Sequence, residues 1–373
     1  MIYLDTAASY PILPEVKLKL MDAFEHCYAN SASSHQLGVT VQDKIDQVRG
    51  QIADSIGAYP SEIIFTSGAT ESNNIAFKSV LLGSSVQKGK KHIITSAIEH
   101  KCIFAICDYF KELGYDITFL KPDVQGMISA RQVFDAITEF TVLVSIMHVN
   151  NELGTINPIE DIGQVCVDNE VLFHTDCAQS FGKLPINVDD ANIDIMSISG
   201  HKIGGPKGIG AVYIRDLRHR NLLPVIHGAG QEQGIRGGTI AAPLILGLGS
   251  ALEQFPRYYA DFKNKKIKSY LLSKLIENSI SYVVNGSLQA LPHCVSLTLK
   301  NTNVPLMIRD NQTRLSLAQG SACSSKEIEA SHVLSALGIS REDAENTLRI
   351  SFMLDATQEQ IDVLVEAIKK ATL

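Results

Sequence analysis

IDIMSISGHKIGGPKGIGAVYI, residues 193–214, sets two apolar runs on either side of a glycine-rich turn. IDIMSIS (193–199) and IGAVYI (209–214) read as buried strands, and Lys202 lies just past the first of them, next to His201. The glycines allow close backbone approach. A lysine held in a tight, partly desolvated turn can lose its proton and attack a carbonyl. A surface lysine in a β-turn is the plain alternative. The glycines fit neither a Walker motif, since GK[ST] is missing, nor GxGxxG.

The same texture runs upstream. EIIFTS (62–67), KHIITS (91–96), ITFLK (117–121), TVLVSIMHV (141–149) and VLFHTD (171–176) read as further short strands. SNNIAFKSVLLG (72–83) and CIFAICDYFKELG (102–114) read as helices between them, the second with Ile103, Ile106, Phe110 and Leu113 at helical spacing. Strand and helix in alternation predict an α/β fold with a mainly parallel sheet covered on both faces. From about residue 257 the pattern changes. A Lys-rich helix (263–278), short strands near 281–284 and 293–299, the loop QGSACSS (319–325), a further helix, the strand TLRISF (347–352) and a last helix (358–371) predict a smaller α+β domain.

In open parallel sheets ligands bind beyond the carboxyl ends of the strands, and the residues at those ends carry chemistry. After EIIFTS comes GATESNN, a glycine turn opening a helix, whose free N–H groups and positive dipole end suit a phosphate, helped by the Thr70 hydroxyl. Many βα turns share that pattern. After VLFHT comes Asp176, then Gln179. A carboxylate ending a buried strand needs a partner. It either caps the next helix or faces a cationic heterocyclic nitrogen, as a pyridinium requires to stay an electron sink. A phosphate cup, a carboxylate for a ring nitrogen and a carbonyl-seeking lysine, in this order on successive strand ends, are the three handles of pyridoxal phosphate.

The chain has 373 residues, 45% hydrophobic and 20% charged, with a net charge of −7. That balance suits a folded protein of more than one domain and argues against a general nucleic-acid-binding surface. Seven cysteines without a close CxxC pair fit neither a disulfide scaffold nor a metal site, so no metal is expected. No apolar run approaches a membrane span, and the start MIYLDTAASYP lacks the features of a signal peptide. The expected setting is the reducing cytoplasm. There, Cys323 in QGSACSS is a thiol among glycine, serine and alanine, either a bland loop residue or a nucleophile given room to move.

SGATESNN, IEHK (98–101), MHVNNELG (147–154), HTDCAQS (174–180), SGHKIGGPKGIG (199–210) and RGGT (236–239) resemble the motif set of cysteine desulfurases of the NifS and IscS type. These are class V aminotransferase-fold enzymes, and the resemblance runs over nearly the whole chain. It implies a pyridoxal phosphate-dependent transferase of fold type I, a homodimer that moves sulfur from L-cysteine to an enzyme cysteine and releases alanine. Residues 13–257 would form the large cofactor-binding domain, and 1–12 with 258–373 the small domain carrying the cysteine loop.

By the same resemblance Lys202 would link covalently to the cofactor, Asp176 would pair with its ring nitrogen, and Gln179 would bond its phenolic oxygen. His100 would stack on the ring and move protons. Ala69, Thr70, Ser199 and His201 would hold the phosphate, and Thr239 would reach the phosphate of the other subunit. Asn151 would contact the ring oxygen or substrate, Arg349 would bind the substrate carboxylate, and Asn30 would lie near the substrate. Cys323 would attack the substrate sulfur as thiolate and carry it as a persulfide, on a loop that travels between loading and delivery. The sulfur would pass to an acceptor protein, an iron–sulfur scaffold or part of a tRNA or DNA sulfur-modification system. The end of the chain at its last helix hints at a dedicated acceptor.

Two readings compete with this one. A selenocysteine lyase or aminotransferase shares the cofactor set, but transamination needs no thiol. A catalytically idle scaffold subunit predicts loss of Lys202, His100 or Cys323, and all three are present. Arg257, Lys263, Lys265, Lys266 and Lys268 form either a docking patch or a solvated helix face.

Overall fold

The computed structural model describes residues 1–83, 89–220, 222–319, 321–324 and 327–372, with the backbone alone at residue 264, Ser321–Ser324 and Glu327–Ala330. Seven strands build one sheet: β1 (Ile63–Thr66), β2 (His92–Ser96), β3 (Asp116–Leu120), β4 (Thr141–Ser145), β5 (Leu172–Asp176), β6 (Ile195–Ser199) and β7 (Gly210–Ile214). Their spatial order is β1-β7-β6-β5-β4-β2-β3. The pairs from β6 to β3 are parallel, whereas β7 runs antiparallel to both of its neighbours. The turn that separates β6 from β7 explains the exception. Only residues 200–209 connect them, too few for the crossover that a parallel return requires.

Alternation along each strand sends side chains to two cores. On β1, Ile63 and Phe65 join one apolar cluster and Ile64 the other; on β7, Ala211 and Tyr213 part from Val212 and Ile214 in the same way. The first cluster packs under α1 (Pro14–His26) and α2 (Gln36–Ile56), the second under α3 (Ala69–Leu81) and α4 (Lys101–Glu112). In α4 the helical stripe holds for Ile103, Ile106 and Phe110, but Leu113 caps the helix and is exposed. The helix after β1 starts three residues earlier than periodicity indicates. The apolar stripe begins only at Ile75, whereas the turn is set by Gly68 at φ 146°, ψ 179°, a conformation that glycine alone adopts freely.

The Lys-rich segment departs from expectation. One long helix, α5 (Ala242–Asn264), crosses residue 257 with Pro256 inside it, and α6 (Ile267–Glu277) follows after Lys266 turns left-handed at φ 51°. Arg257, Lys263, Lys265 and Lys266 are exposed and Lys268 is half-buried. A second sheet, all antiparallel, orders Ala318–Gln319, Thr347–Ser351, Cys294–Leu299 and Tyr282–Asn285 side by side. The N-terminus joins this part: Ile2–Tyr3 pairs with Leu315–Ser316, and Asp5 bridges to Ser351. The last helix, α7 (Gln358–Ala371), buries Ile361, Leu364, Val365 and Ile368 as its periodicity requires.

QGSACSS is not an open loop throughout. The backbone of Ser321–Ser324 pairs antiparallel with Glu327–Ala330, with Cys323 opposite Ile328. Side chains this small allow the backbone to satisfy its polar groups in a ladder. The Cys323 side chain and its expected travel lie outside the described residues. Among the described residues no helix is long and apolar enough to cross a membrane.

Candidate active site

Five chain segments meet at the carboxyl ends of β1, β2, β4, β5 and β6 around a cavity of about 610 Å³, within the range of small-molecule sites. Ala69, Thr70, His100, Asn151, Asp176, Gln179, Ser199, His201, Lys202 and Arg349 all line it. So do Ala7 and Ala8, brought in by the N-terminal segment.

At one end lies the start of α3. No side chain caps it, so its first N–H groups are open to an anion. An added Cβ at Gly68 would meet nothing within 4 Å, whereas one at Gly210 would fall 2.7 Å from the Cα of Gly68. The two glycines let β7 close against the turn while the turn's cavity side stays open. Glu71, in the first turn of α3 and on the cavity wall, has its charge offset by pairing with the Arg236 Nε at 2.8 Å and the Ser67 N–H at 2.9 Å. That ion pair docks the RGGT segment beside the anion site, and Thr239 on it is exposed and outside the cavity.

At the other end Asp176, 5% exposed, accepts from Asn73 Nδ2 at 2.8 Å and from the Ala178 N–H at 2.9 Å. Those two donors fix the carboxylate at the strand end. Gln179 donates from Nε2 to the Ala7 carbonyl at 2.8 Å. Lys202 donates from Nζ to the carbonyls of Ala7 and Ala8 at 2.6 and 2.7 Å. Burial, with the Arg349 charge adding to it, depresses the Lys202 ammonium from 10.5 to about 8. Its amine form is therefore within reach near neutral pH.

His100 caps α4: its Nδ1 accepts from the Cys102 N–H at 3.2 Å, which leaves the ring proton of the neutral form on Nε2. Burial holds its pKa below the usual imidazole value, against the pull of Asp176. Arg349 reaches the cavity from the second sheet, pairing with Asp5 Oδ1 at 2.7 Å and the Asn151 carbonyl at 3.2 Å. Its buried Nε has no partner among the described residues, a donor that a carboxylate would satisfy. Burial, together with the nearby Lys202, Lys207 and Lys183 charges, pushes His201 down to about 4, so it acts as a neutral donor or acceptor beside Ser9 Oγ at 3.2 Å.

Asn30 is placed elsewhere. It lines a second cavity of about 500 Å³ with Arg49, Gln231 and Glu232, because its own loop folds tightly before α2, the Ala32 N–H donating to Asn30 Oδ1 at 3.0 Å. Other residues went unnoticed in the sequence. Asn73 follows Ala69 by one helical turn, a spacing that points it to the same end of the sheet. The carbonyls of Ala7 and Ala8 carry no side-chain signal at all.

Residues 2–364 match the family described as Aminotransferase class-V. The chain is 40% identical over 379 aligned positions to the mitochondrial cysteine desulfurase of Candida maltosa, covering 99% of this chain and 77% of that one. It is 40% identical over 382 positions to the cysteine desulfurase IscS of Shewanella woodyi, covering 99% and 92%. This chain belongs to the class-V aminotransferase family, among its cysteine desulfurases. A solved structure of SspA in complex with cysteine is 45% identical, with a TM-score of 0.85 over 94% of this chain and 99% of that one.

The cofactor of this family is pyridoxal 5′-phosphate, and the cavity fits it. The uncapped α3 start suits a phosphate, Asp176 suits a protonated ring nitrogen, and Lys202 has a depressed pKa. Asn73 Oδ1 and Arg349 Nε are buried beside these groups without partners among the described residues. A desulfurase also needs a thiol, and the Cys323 backbone rises from this neighbourhood. Gln319 before it and Ser331 after it line a small cavity that also borders Arg349. Ser331 is tied to Glu152, and His332 Nε2 lies 2.8 Å from the Glu99 carbonyl oxygen.

Proposed function

We propose that this chain takes the sulfur of L-cysteine, releases L-alanine and carries the sulfur as a persulfide on Cys323 to an acceptor protein. The observation that carries the reading is the meeting of Lys202, Asp176, His100 and Arg349 around one cavity at the open start of α3. The cysteine held by the 45% identical SspA supports the substrate.

When bound, pyridoxal phosphate draws electrons from the substrate carbon that bears the amino group, which acidifies that carbon and weakens the hold on sulfur. Thr70, Ser199, His201 and the N–H groups from Ala69 onward would hold its phosphate, with Thr239 serving the phosphate of a partner subunit. Asp176 would keep the ring nitrogen protonated, and Gln179 and Asn151 would meet the ring oxygen. Lys202 would hold the cofactor through its amine and would serve as a base at Nζ. His100 holds a proton on Nε2 for donation. Arg349 grips the substrate carboxylate and fixes which end of cysteine faces the thiol.

Cys323, as thiolate, attacks the substrate sulfur. A sulfur–sulfur bond forms, the carbon–sulfur bond breaks, and its electron pair stays on the carbon, which takes up a proton as the methyl group of alanine. The exposed Thr239 supports a homodimer. We assign the cofactor-binding part to residues 13–257 and the Cys323-bearing part to 1–12 with 258–373. The acceptor belongs to an iron–sulfur scaffold or to a tRNA or DNA sulfur-modification system, in the cytoplasm.

Alanine and sulfide measured from L-cysteine, with and without reductant, test the reading. Equal alanine and sulfide with reductant are expected. Alanine without sulfide, or pyruvate in its place, would overturn it in favour of another pyridoxal enzyme.

A further inference from the structure

Lys183 has no part in the chemistry above, yet it is only 4% exposed. It sits seven residues beyond Asp176 in the turn after β5, next to Gly182 at φ 71°, and both border a separate cavity with Tyr259 and Lys263. Its Nζ has a single hydrogen-bond partner in the described residues, the Oε1 of Gln179 at 3.4 Å. A buried ammonium with one neutral partner is costly, so the position calls for an explanation.

Gln179 supplies one. A carboxamide can present either its oxygen or its nitrogen to a cavity, and the choice follows from its neighbours. Lysine only donates, so Lys183 takes the oxygen. The Ala7 carbonyl only accepts, so it takes one hydrogen of Nε2, at 2.8 Å. The second Nε2 hydrogen is left for the cavity that Gln179 and Ala7 both line.

We propose that Lys183 is a positioning residue that locks the Gln179 carboxamide with its N–H toward the cavity, and so stabilises a negative oxygen on the bound cofactor. The inference rests on the pyridoxal phosphate reading of this cavity and on Gln179 meeting the cofactor's phenolic oxygen. Removing Lys183 frees the carboxamide to turn its oxygen inward, where it would repel that oxygen instead of donating to it.

The surroundings of Lys183 favour this role. Lys202 and Cys294 act on Lys183; Lys183 and Lys268 of α6 both act on His293 and Cys294, and Tyr259 of α5 shares a hydrogen bond with His293 at 3.1 Å. Among the described residues no carboxylate acts on Lys183 itself, while Asp5 acts on Lys202 and Cys294. Burial first, then the Lys202 charge, lowers Lys183 to about 7, with Cys294 opposing. Above that pH the neutral amine still donates to Gln179, so the orienting contact outlasts the charge.

The test reads the pH midpoint of the holoenzyme's visible absorption change, which reports the charge on the cofactor without turnover. Lys183→Met should raise that midpoint by about 0.7 or more, the equivalent of one ordinary hydrogen bond lost from the negative form. Gln179→Ala should raise it too, and the double variant should equal Gln179→Ala alone, because the lysine acts only through the glutamine. Should Lys183→Met fail to fold, Lys183→Gln reads the same midpoint, with a smaller rise expected. An unchanged midpoint in either folded variant, or a double variant whose shift is the sum of the two, overturns the proposal. A holoenzyme that shows no pH-dependent absorption, or binds no pyridoxal phosphate, overturns the underlying reading instead.

Discussion

Replacing Lys202 by methionine should stabilise the cofactor-free protein while abolishing its chemistry. The ammonium is depressed from 10.5 to about 8, chiefly by burial, which corresponds to roughly 3 kcal/mol of penalty against the charged form. Methionine of similar reach escapes that penalty. It forfeits the hydrogen bonds to the Ala7 and Ala8 carbonyls, worth about 1 kcal/mol each, though Ala7 keeps the Gln179 donor. A net gain of about 1–2 kcal/mol remains. The sign follows from the protons bound. Below pH 8 the lysine is charged in both the folded and the unfolded chain, and the folded chain bears the whole penalty. Between pH 8 and 10.5 only the unfolded chain holds the proton, so wild-type stability climbs with pH relative to the variant. The variant's advantage is therefore largest at pH 7, is gone by about pH 9–9.5, and reverses by about pH 10.5, where only the lost hydrogen bonds remain. Thermal unfolding of both cofactor-free proteins across pH 7 to 10.5 checks this, because titrating groups beyond the reach of the Lys202 charge cancel in the difference; Lys183, His100 and His201 are the ones that feel it. A variant less stable at pH 7, or an advantage that does not shrink as pH rises, refutes the account of the lysine's environment.

Two further substitutions probe the ends of the cavity. Gly68→Ala places a side chain at φ 146°, costing about 1–3 kcal/mol in the turn that opens α3; pyridoxal phosphate affinity by absorbance titration should fall, and unchanged affinity would contradict the anion site. Arg349→Lys keeps the charge near Asp5 but loses the planar fork. The KM for cysteine should rise about tenfold or more, with the cofactor spectrum unaltered, and an unchanged KM would remove Arg349 from the substrate.

The fold was readable where residues of one kind cluster. The strands are short apolar runs, and Asp176 and Ser199, which end β5 and β6, line the cavity. Chain direction was less legible: the antiparallel course of β7 follows from the ten-residue link before it, not from its composition. The break at Lys266 escaped notice because lysines suit a helix, and a left-handed backbone at φ 51° leaves no mark in residue type. The site divides in the same way. Lys202, Asp176 and His100 stand out because charged or titratable groups next to buried strands demand a reason. The Ala7 and Ala8 carbonyls, which hold Lys202, are backbone groups that any residue would supply. Asn30 lines a different cavity in this chain, because a match of short motifs says nothing of which cavity its loop closes against.

The most direct measurement mixes the holoenzyme with one equivalent of L-cysteine per subunit, without reductant, and then counts alanine and locates bound sulfur by peptide mass. One alanine per subunit and a single added sulfur atom on the peptide carrying Cys323 are expected, with both lost in Cys323→Ser while the cofactor absorption persists. Alanine formed at the normal rate by Cys323→Ser, or added sulfur on Cys102 or Cys294 in place of Cys323, would contradict the account.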